Sequence, residues 1–219
     1  MWSKFTKYSL SMGSVMIKIA VWISGGGTTL SNILDCVSKG TLEVEVCLVV
    51  SSSSEAGGVE IARAAAIETQ VVRRGQFDSP AEYRDEMFRR SREMGVDFVV
   101  MAGFLKHVLI PNDFTNRVVN IHPSLIPAFC GKGMYGNRVH QAVVDSGVTV
   151  SGCTIHFVDN EFDHGPIIYQ QTVRVAEDDC AEDVRQRVFV AECEAYPKVL
   201  RWLNAGRILV DGPVVTVKD

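Results

Sequence analysis

The sequence predicts an α/β fold: a single-domain, open, mostly parallel twisted sheet with helices on both faces and an antiparallel strand pair toward the C-terminus. Three observations predict it. Short, near-continuous apolar runs recur, as expected of strands covered on both faces. Most are followed by apolar residues at helical spacing, the alternation of a parallel sheet with right-handed crossovers. The alternation then breaks between Val148 and Val175, where two long strand patterns are separated only by Asp159 to Gly165.

The elements follow in order. Ile17 to Ile23 is an apolar run, followed by Ser24-Gly25-Gly26-Gly27-Thr28-Thr29. Leu30, Ile33, Leu34 and Val37 then recur at helical spacing, and Gly40 closes that helix. Val44 to Val50 is a second strand. Glu60 to Ala66 is a short helix and Glu82 to Met94 a longer one stopped by Gly95. Val96 to Ala102 and Val118 to Ile121 are buried strands. Val148 to Val158 and Pro166 to Val175 form the antiparallel pair. Ala181 to Asn204 is one long helix, with Pro197 a point where it can kink.

Composition excludes several function classes. The chain has 219 residues, 47% hydrophobic and 22% charged, a net charge of -4 and a pI near 5.8. That is ordinary for a soluble globular protein and unlike a general nucleic-acid binder, which is usually basic. The six cysteines include no C-x-x-C pair, so zinc-ribbon and thioredoxin-like arrangements are not expected. Reduced thiols and a cytoplasmic location are expected instead. No histidine pair has metal-ligand spacing, so no metal is expected. No apolar run approaches the roughly 18 residues of a membrane helix. Residues 1–15 are polar, with Lys4 and Lys7 and no acid, and are read as an extension or tag preceding a start at Met16. Residues 16–219 are then the folded domain.

Chemistry concentrates in three places. Asn120-Ile121-His122-Pro123-Ser124 ends an apolar run. Asn120 and His122 are two apart, so on a strand their side chains share one face. Pro123 ends the ladder, which puts both at the lip of the sheet, where α/β proteins bind ligands. Asn120 is a neutral donor, and His122 can hold or pass a proton near neutral pH. Asp163, in Asp163-His164-Gly165-Pro166, is an acid that can tune or orient that imidazole, or simply part of a solvated acidic loop. The glycine loop lies between a strand and a helix, where backbone N–H groups can crowd an anion. It lacks the G-x-G-x-x-G pattern and the P-loop lysine, so a phosphate monoester fits better than a dinucleotide; the bland alternative is a tight turn. Among the other histidines, His107 and His164 read as surface residues, His140 as helical, and His156 as a hydrogen-bonded neighbour of the site. Cys130 to Gly136 is a glycine-rich loop that suits a lid or an exposed connection.

Together these segments resemble the folate-dependent formyltransferases, most closely the branch whose acceptor is glycinamide ribonucleotide. The resemblance runs from about Lys18 to Asn204. Ile23 to Leu30, Ala102-Gly103-Phe104, Asn120 to Pro127, and Gly152 to Val158 continuing to Asp163 to Ile168 carry it. The branch is chosen by the phosphate-cradle form of the glycine loop. It is chosen also by the expectation that neither the C-terminal barrel of methionyl-tRNA formyltransferases nor the leading regulatory domain of formyl-folate hydrolases is present.

The resemblance implies transfer of formyl from 10-formyltetrahydrofolate, a co-substrate, to the amine of glycinamide ribonucleotide in de novo purine biosynthesis. Alternatives are a formyltetrahydrofolate hydrolase, a formyltransferase for another small amine, or a binding protein that has lost turnover. It implies Asn120, His122 and Asp163 as the catalytic trio. Gly26, Gly27, Thr28 and Thr29 become the phosphate loop, and Glu192 the acid that holds the ribose hydroxyls. Leu105, Lys106, Val108 and the loop of Asp159, Asn160, Glu161, Phe162 and Asp163 become the folate wall. The chain departs from the family at Thr29, commonly Asn in relatives, and at Phe189, often Lys or Gln. Folate and glycinamide ribonucleotide are the expected partners, with no nucleic acid or membrane, and the chain is expected to be a monomer or homodimer.

Overall fold

A computed structural model describes residues 16–219; the extension expected at residues 1–15 lies outside them. Strands β1 (Lys18–Ile23), β2 (Glu45–Ser51), β3 (Glu68–Val71), β4 (Phe98–Met101), β5 (Val118–His122), β6 (Val150–Phe157) and β7 (Ile167–Arg174) form a seven-stranded sheet in the order β3-β2-β1-β4-β5-β6-β7. Two compact units divide the chain within β5, one ending at Asn120 and the other comprising Ile121–Asp219.

In the first unit every strand pairing is parallel: β1 with β2 and β4, β2 with β3, and β4 with β5. Helices α1 (Thr28–Ser38), α2 (Gly57–Ala64) and α3 (Pro80–Glu93) make the crossovers. The apolar runs become strands because both faces are covered. Ile19, Ala20, Val21, Trp22 and Ile23 are all buried, as are Val49, Val50, Val99 and Val100. Trp22 packs edge-on against Phe88 of α3, with ring centroids 4.9 Å apart. Gly40 and Gly95 follow α1 and α3 with φ of 67° and 66°, the left-handed conformation that ends a helix most cheaply with glycine. Ser79 caps α3 by accepting from the Glu82 N–H, and Pro80 occupies its first turn. Successive strands run outward from β1 through β2 to β3, then restart beyond β1 at β4. The switch point therefore falls between β1 and β4, where open parallel sheets bind ligands.

In the second unit β6 and β7 pair antiparallel. Helix α5 (Ala181–Asn204) packs on both strands and on α4 (Asn137–Asp145). Its buried positions Val184, Val188, Ala191, Ala195 and Val199 lie on one stripe, and the helix runs on through Pro197, itself buried. A separate hairpin, β8 (Ile208–Asp211) with β9 (Val214–Val217), follows. The periodicity of the sequence gives neither that hairpin nor β3.

Candidate functional site

In the first unit the glycine loop joins β1 to α1. Gly27 caps α1 with φ 79°, and no side chain caps the first turn, whose N–H groups have no intrahelical partner. The glycines are not equivalent. A Cβ on Gly27 would stand 2.5 Å from Gly58 Cα and 3.2 Å from Ile61 Cδ1, so Gly27 is required where α2 packs against the loop. Gly25 and Gly26 are exposed, and a Cβ on either would meet nothing within 4 Å. The open surface of the loop is thus Gly25, Gly26 and the first turn of α1, while Gly27 holds its shape. Thr28 is exposed and Thr29 half-buried. The loop is tied to the far side of the switch point: the Ser24 N–H donates to the Gly103 carbonyl (3.2 Å), and the Leu105 N–H donates to Ser24 Oγ (2.9 Å). Leu105 and Lys106 are exposed there, Leu105 by 51%, whereas Val108 is buried.

Asn120, half-buried, and His122, buried, sit two apart at the end of β5 as their spacing requires. In the second unit the His122 ring has a protein neighbour opposite each nitrogen. Nε2 lies 2.9 Å from the Phe129 carbonyl oxygen, which only accepts, so Nε2 carries a hydrogen. Nδ1 therefore faces Asp163, with Oδ2 at 3.6 Å. That separation exceeds a hydrogen bond but allows strong charge attraction once Nδ1 is protonated. Asp163 accepts from the Gly131 N–H at 2.8 Å through the same oxygen. Its φ is 52°, a conformation that Asp tolerates better than most residues. Gly165, two residues on, lies where a Cβ would collide with the Phe157 carbonyl, which fixes the exit of the loop.

His156 is buried on the other side of Asp163, with Nε2 3.9 Å from Oδ1. Burial lowers its pKa, and Nδ1 lies 2.8 Å from the Phe157 carbonyl. The ring is thus a neutral imidazole with its hydrogen on Nδ1. It neighbours Asp163 on the side away from His122. His140 lies on α4 as expected and is buried; its Nδ1 has no partner among the described residues. Burial, followed by the charge of Arg185, pushes its pKa down to about 4. His107 and His164 are exposed as expected, and Asp159 raises the His164 pKa through a 2.8 Å bond.

Glu192 is half-buried on α5, one turn beyond Phe189. Desolvation raises its carboxyl to about 7. In the loop after β6, Asp159 Oδ1 accepts from the Glu161 N–H (2.8 Å), Asn160 and Glu161 are exposed, and the Phe162 ring is 45% exposed. Among the described residues no group of three or more His, Cys, Asp and Glu is arranged to hold a metal ion, and no helix is long and apolar enough to cross a membrane.

Side-chain reasoning missed the supports of His122. Ser124 Oγ donates to the Ala128 carbonyl at 2.6 Å and lies 3.3 Å from the Phe129 carbonyl. Thr154 Oγ1 donates to the Ser124 carbonyl (2.7 Å) and accepts from the Ile126 N–H (3.0 Å). Ser124 and Thr154 lie within the motif segments, so the signal was present, but its meaning depends on where the chain turns. The Cys130 to Gly136 loop contributes the Gly131 amide to the site and is more than an exposed connection.

The first unit thus presents a glycine loop at the N-terminus of a helix, and the second a histidine facing an aspartate. A profile of the formyl transferase family matches residues 17–200, and the chain belongs to that family. It is 42% identical over 200 residues to the chloroplastic phosphoribosylglycinamide formyltransferase of Arabidopsis thaliana, covering 87% of this chain and 66% of that one. It is 35% identical over 196 residues to phosphoribosylglycinamide formyltransferase of Haemophilus influenzae, covering 88% and 90%. Its fold is similar to the crystal structure of glycinamide ribonucleotide transformylase 1 from Symbiobacterium toebii, with a TM-score of 0.88, 37% identity and coverage of 98% and 100%. The chain spans 66% and 62% of the length of the plant relatives that it matches.

Proposed function

We propose that the chain transfers the formyl group of 10-formyltetrahydrofolate to the amine of glycinamide ribonucleotide, a step of de novo purine biosynthesis. The observation that carries this reading is the His122–Asp163 pair at 3.6 Å, with the far ring nitrogen already committed to a carbonyl. The family match and the names of the relatives agree with it.

The amine nitrogen attacks the formyl carbon, and the carbonyl electrons move onto oxygen. Asn120 donates to that oxyanion, and His122 does so through Nδ1 when that nitrogen carries a proton, the kind of positioned donor that lowers such barriers most. The amine loses a proton, N10 of the folate gains one, and the bond from N10 to the formyl carbon breaks. The products are formylglycinamide ribonucleotide and tetrahydrofolate. Asp163 steadies the imidazole and passes the proton between the two nitrogens through water. Gly26, Gly27, Thr28 and Thr29 form the phosphate loop, with Gly27 shaping it, and Glu192 accepts from the ribose hydroxyls. Leu105, Lys106, Val108 and residues 159–162 wall the folate.

Residues 16–219 form the catalytic region and residues 1–15 an extension. Nucleic acid is not a partner on this reading, and the chain acts as a monomer or homodimer. The cytoplasm is the compartment, which suits six free cysteines. The test is tetrahydrofolate release measured with glycinamide ribonucleotide, with other small amines, and with none. Release that requires the ribonucleotide and matches its formylation supports the proposal. Equal release without any amine overturns it in favour of a hydrolase.

A further inference from the structure

A run of hydrogen bonds leads from the face of β7 to the His122 ring. Gln170 Nε2 lies 3.0 Å from the Ile126 carbonyl oxygen and 3.0 Å from Thr154 Oγ1. A carbonyl only accepts, so the amide nitrogen and not the amide oxygen points inward. Thr154 has one hydroxyl hydrogen and gives it to the Ser124 carbonyl (2.7 Å). It must therefore accept from both Gln170 and the Ile126 N–H (3.0 Å), which fills its capacity. Ser124 Oγ in turn donates to the Ala128 carbonyl (2.6 Å), at the bend where Phe129 takes a φ of 52°. That bend aims the Phe129 carbonyl at His122 Nε2, 2.9 Å away.

We infer that Gln170 is a positioning residue for the proposed transfer reaction: through Thr154 and Ser124 it sets which ring nitrogen of His122 carries the fixed hydrogen. It touches neither His122 nor Asp163. Its effect is to keep the Ser124–Phe129 turn in the one arrangement that presents a carbonyl to Nε2. Nδ1 is then the nitrogen left to exchange a proton opposite Asp163. Without the Gln170 amide, Ile126 O and Thr154 Oγ1 each lose a donor, and the turn loses its direct tie to β7. If the Phe129 carbonyl turns away, the neutral ring can shift its hydrogen to Nδ1, where it bonds Asp163 and can no longer receive a proton there. The inference rests on the proposed reaction for its kinetic consequence, but the ring tautomer can be read without any turnover.

The test uses the full chain with Gln170→Leu, which keeps the size and removes the amide, and Gln171→Ala as a control. Gln171 is the next residue, and its amide bonds Glu194 (2.8 Å) instead of the turn. Nitrogen-15 shifts of His122 report the tautomer, and kcat and KM report catalysis. The expected result for Gln170→Leu is a mixed tautomer and a kcat lower by about tenfold, the scale of one or two lost hydrogen bonds, with both KM values within about twofold. Gln171→Ala should match the parent in all three. An unchanged tautomer in Gln170→Leu overturns the inference, whether or not kcat falls, as does a mixed tautomer with unchanged kcat. If the parent shows no transfer at all, the functional proposal fails while the tautomer comparison still decides the structural link.

Discussion

At the N-terminus of α1 the groups offered to a ligand are backbone amides, and side chains stay out of the way. Around His122 the groups offered are side chains, and the backbone supplies their fixed partners. A glycine loop tolerates change where nothing packs, at Gly25 and Gly26, and fails where α2 approaches, at Gly27. The histidine site has less slack, because Phe129 O and Gly131 N–H each reach one atom at 2.9 Å or less. The first site is defined by space and the second by direction.

The largest expected effect breaks the directional site. His122→Ala should lower kcat at least about 100-fold while leaving ribonucleotide binding intact by calorimetry. Near-normal turnover would remove the imidazole from the mechanism. Asp163→Asn keeps the bond that Gly131 makes but removes the charge opposite Nδ1. A loss of about tenfold or more in kcat, with unchanged affinity for both substrates, is expected.

The comparison sharpens in the glycine loop. Gly27→Val should destabilise the fold by about 1–3 kcal/mol, because its side chain meets the Gly58 backbone and its φ is left-handed. Denaturant melting checks this; a stable Gly27→Val protein with only a raised KM would reassign that glycine to the ligand. Gly26→Val should fold normally and raise KM for the ribonucleotide by about tenfold. Equal affinity for phosphorylated and dephosphorylated acceptors would disprove the cradle.

The smallest effect concerns pH. Glu192 has a raised carboxyl, about 7, so the folded chain holds its proton more tightly than the unfolded chain does. Its contribution to stability is complete below about 4.5 and is lost as pH rises toward 7. If the ionised form binds the ribose, KM for the ribonucleotide should rise as pH falls through about 7. Glu192→Gln should flatten both trends, in melting curves and in KM. His140, pushed down to about 4, works in the opposite sense: its stabilisation is lost as pH falls from about 6.5 toward 4.

Much of this was legible in the sequence because long periodic segments leave few choices. The long helix falls at Ala181–Asn204 as its apolar spacing requires. Strand β3, Glu-Thr-Gln-Val, was invisible because four residues with a single apolar one carry no pattern. Helix α4 gave only a hint at His140, since Gly136 precedes it and no side chain caps it. The motif residues His122 and Asp163 could be paired from the resemblance. Their backbone partners could not, because a carbonyl's direction depends on local dihedrals such as φ 52° at Phe129. The packing of Gly27 against α2 was hidden for a similar reason: a glycine demanded by a neighbouring helix looks the same in sequence as one demanded by a ligand.

The bond from His122 Nε2 to the Phe129 carbonyl also governs how the protein meets reagents that acylate histidine. The ring is only 4% exposed and one of its nitrogens is already engaged, whereas His164 and His107 stand in solvent. Early acylation should therefore fall on those two surface rings, ahead of His122. Inactivation should follow later, at the rate at which the turn between Ser124 and Gly131 opens. The slow phase of such a labelling curve is then a clock for local opening around His122.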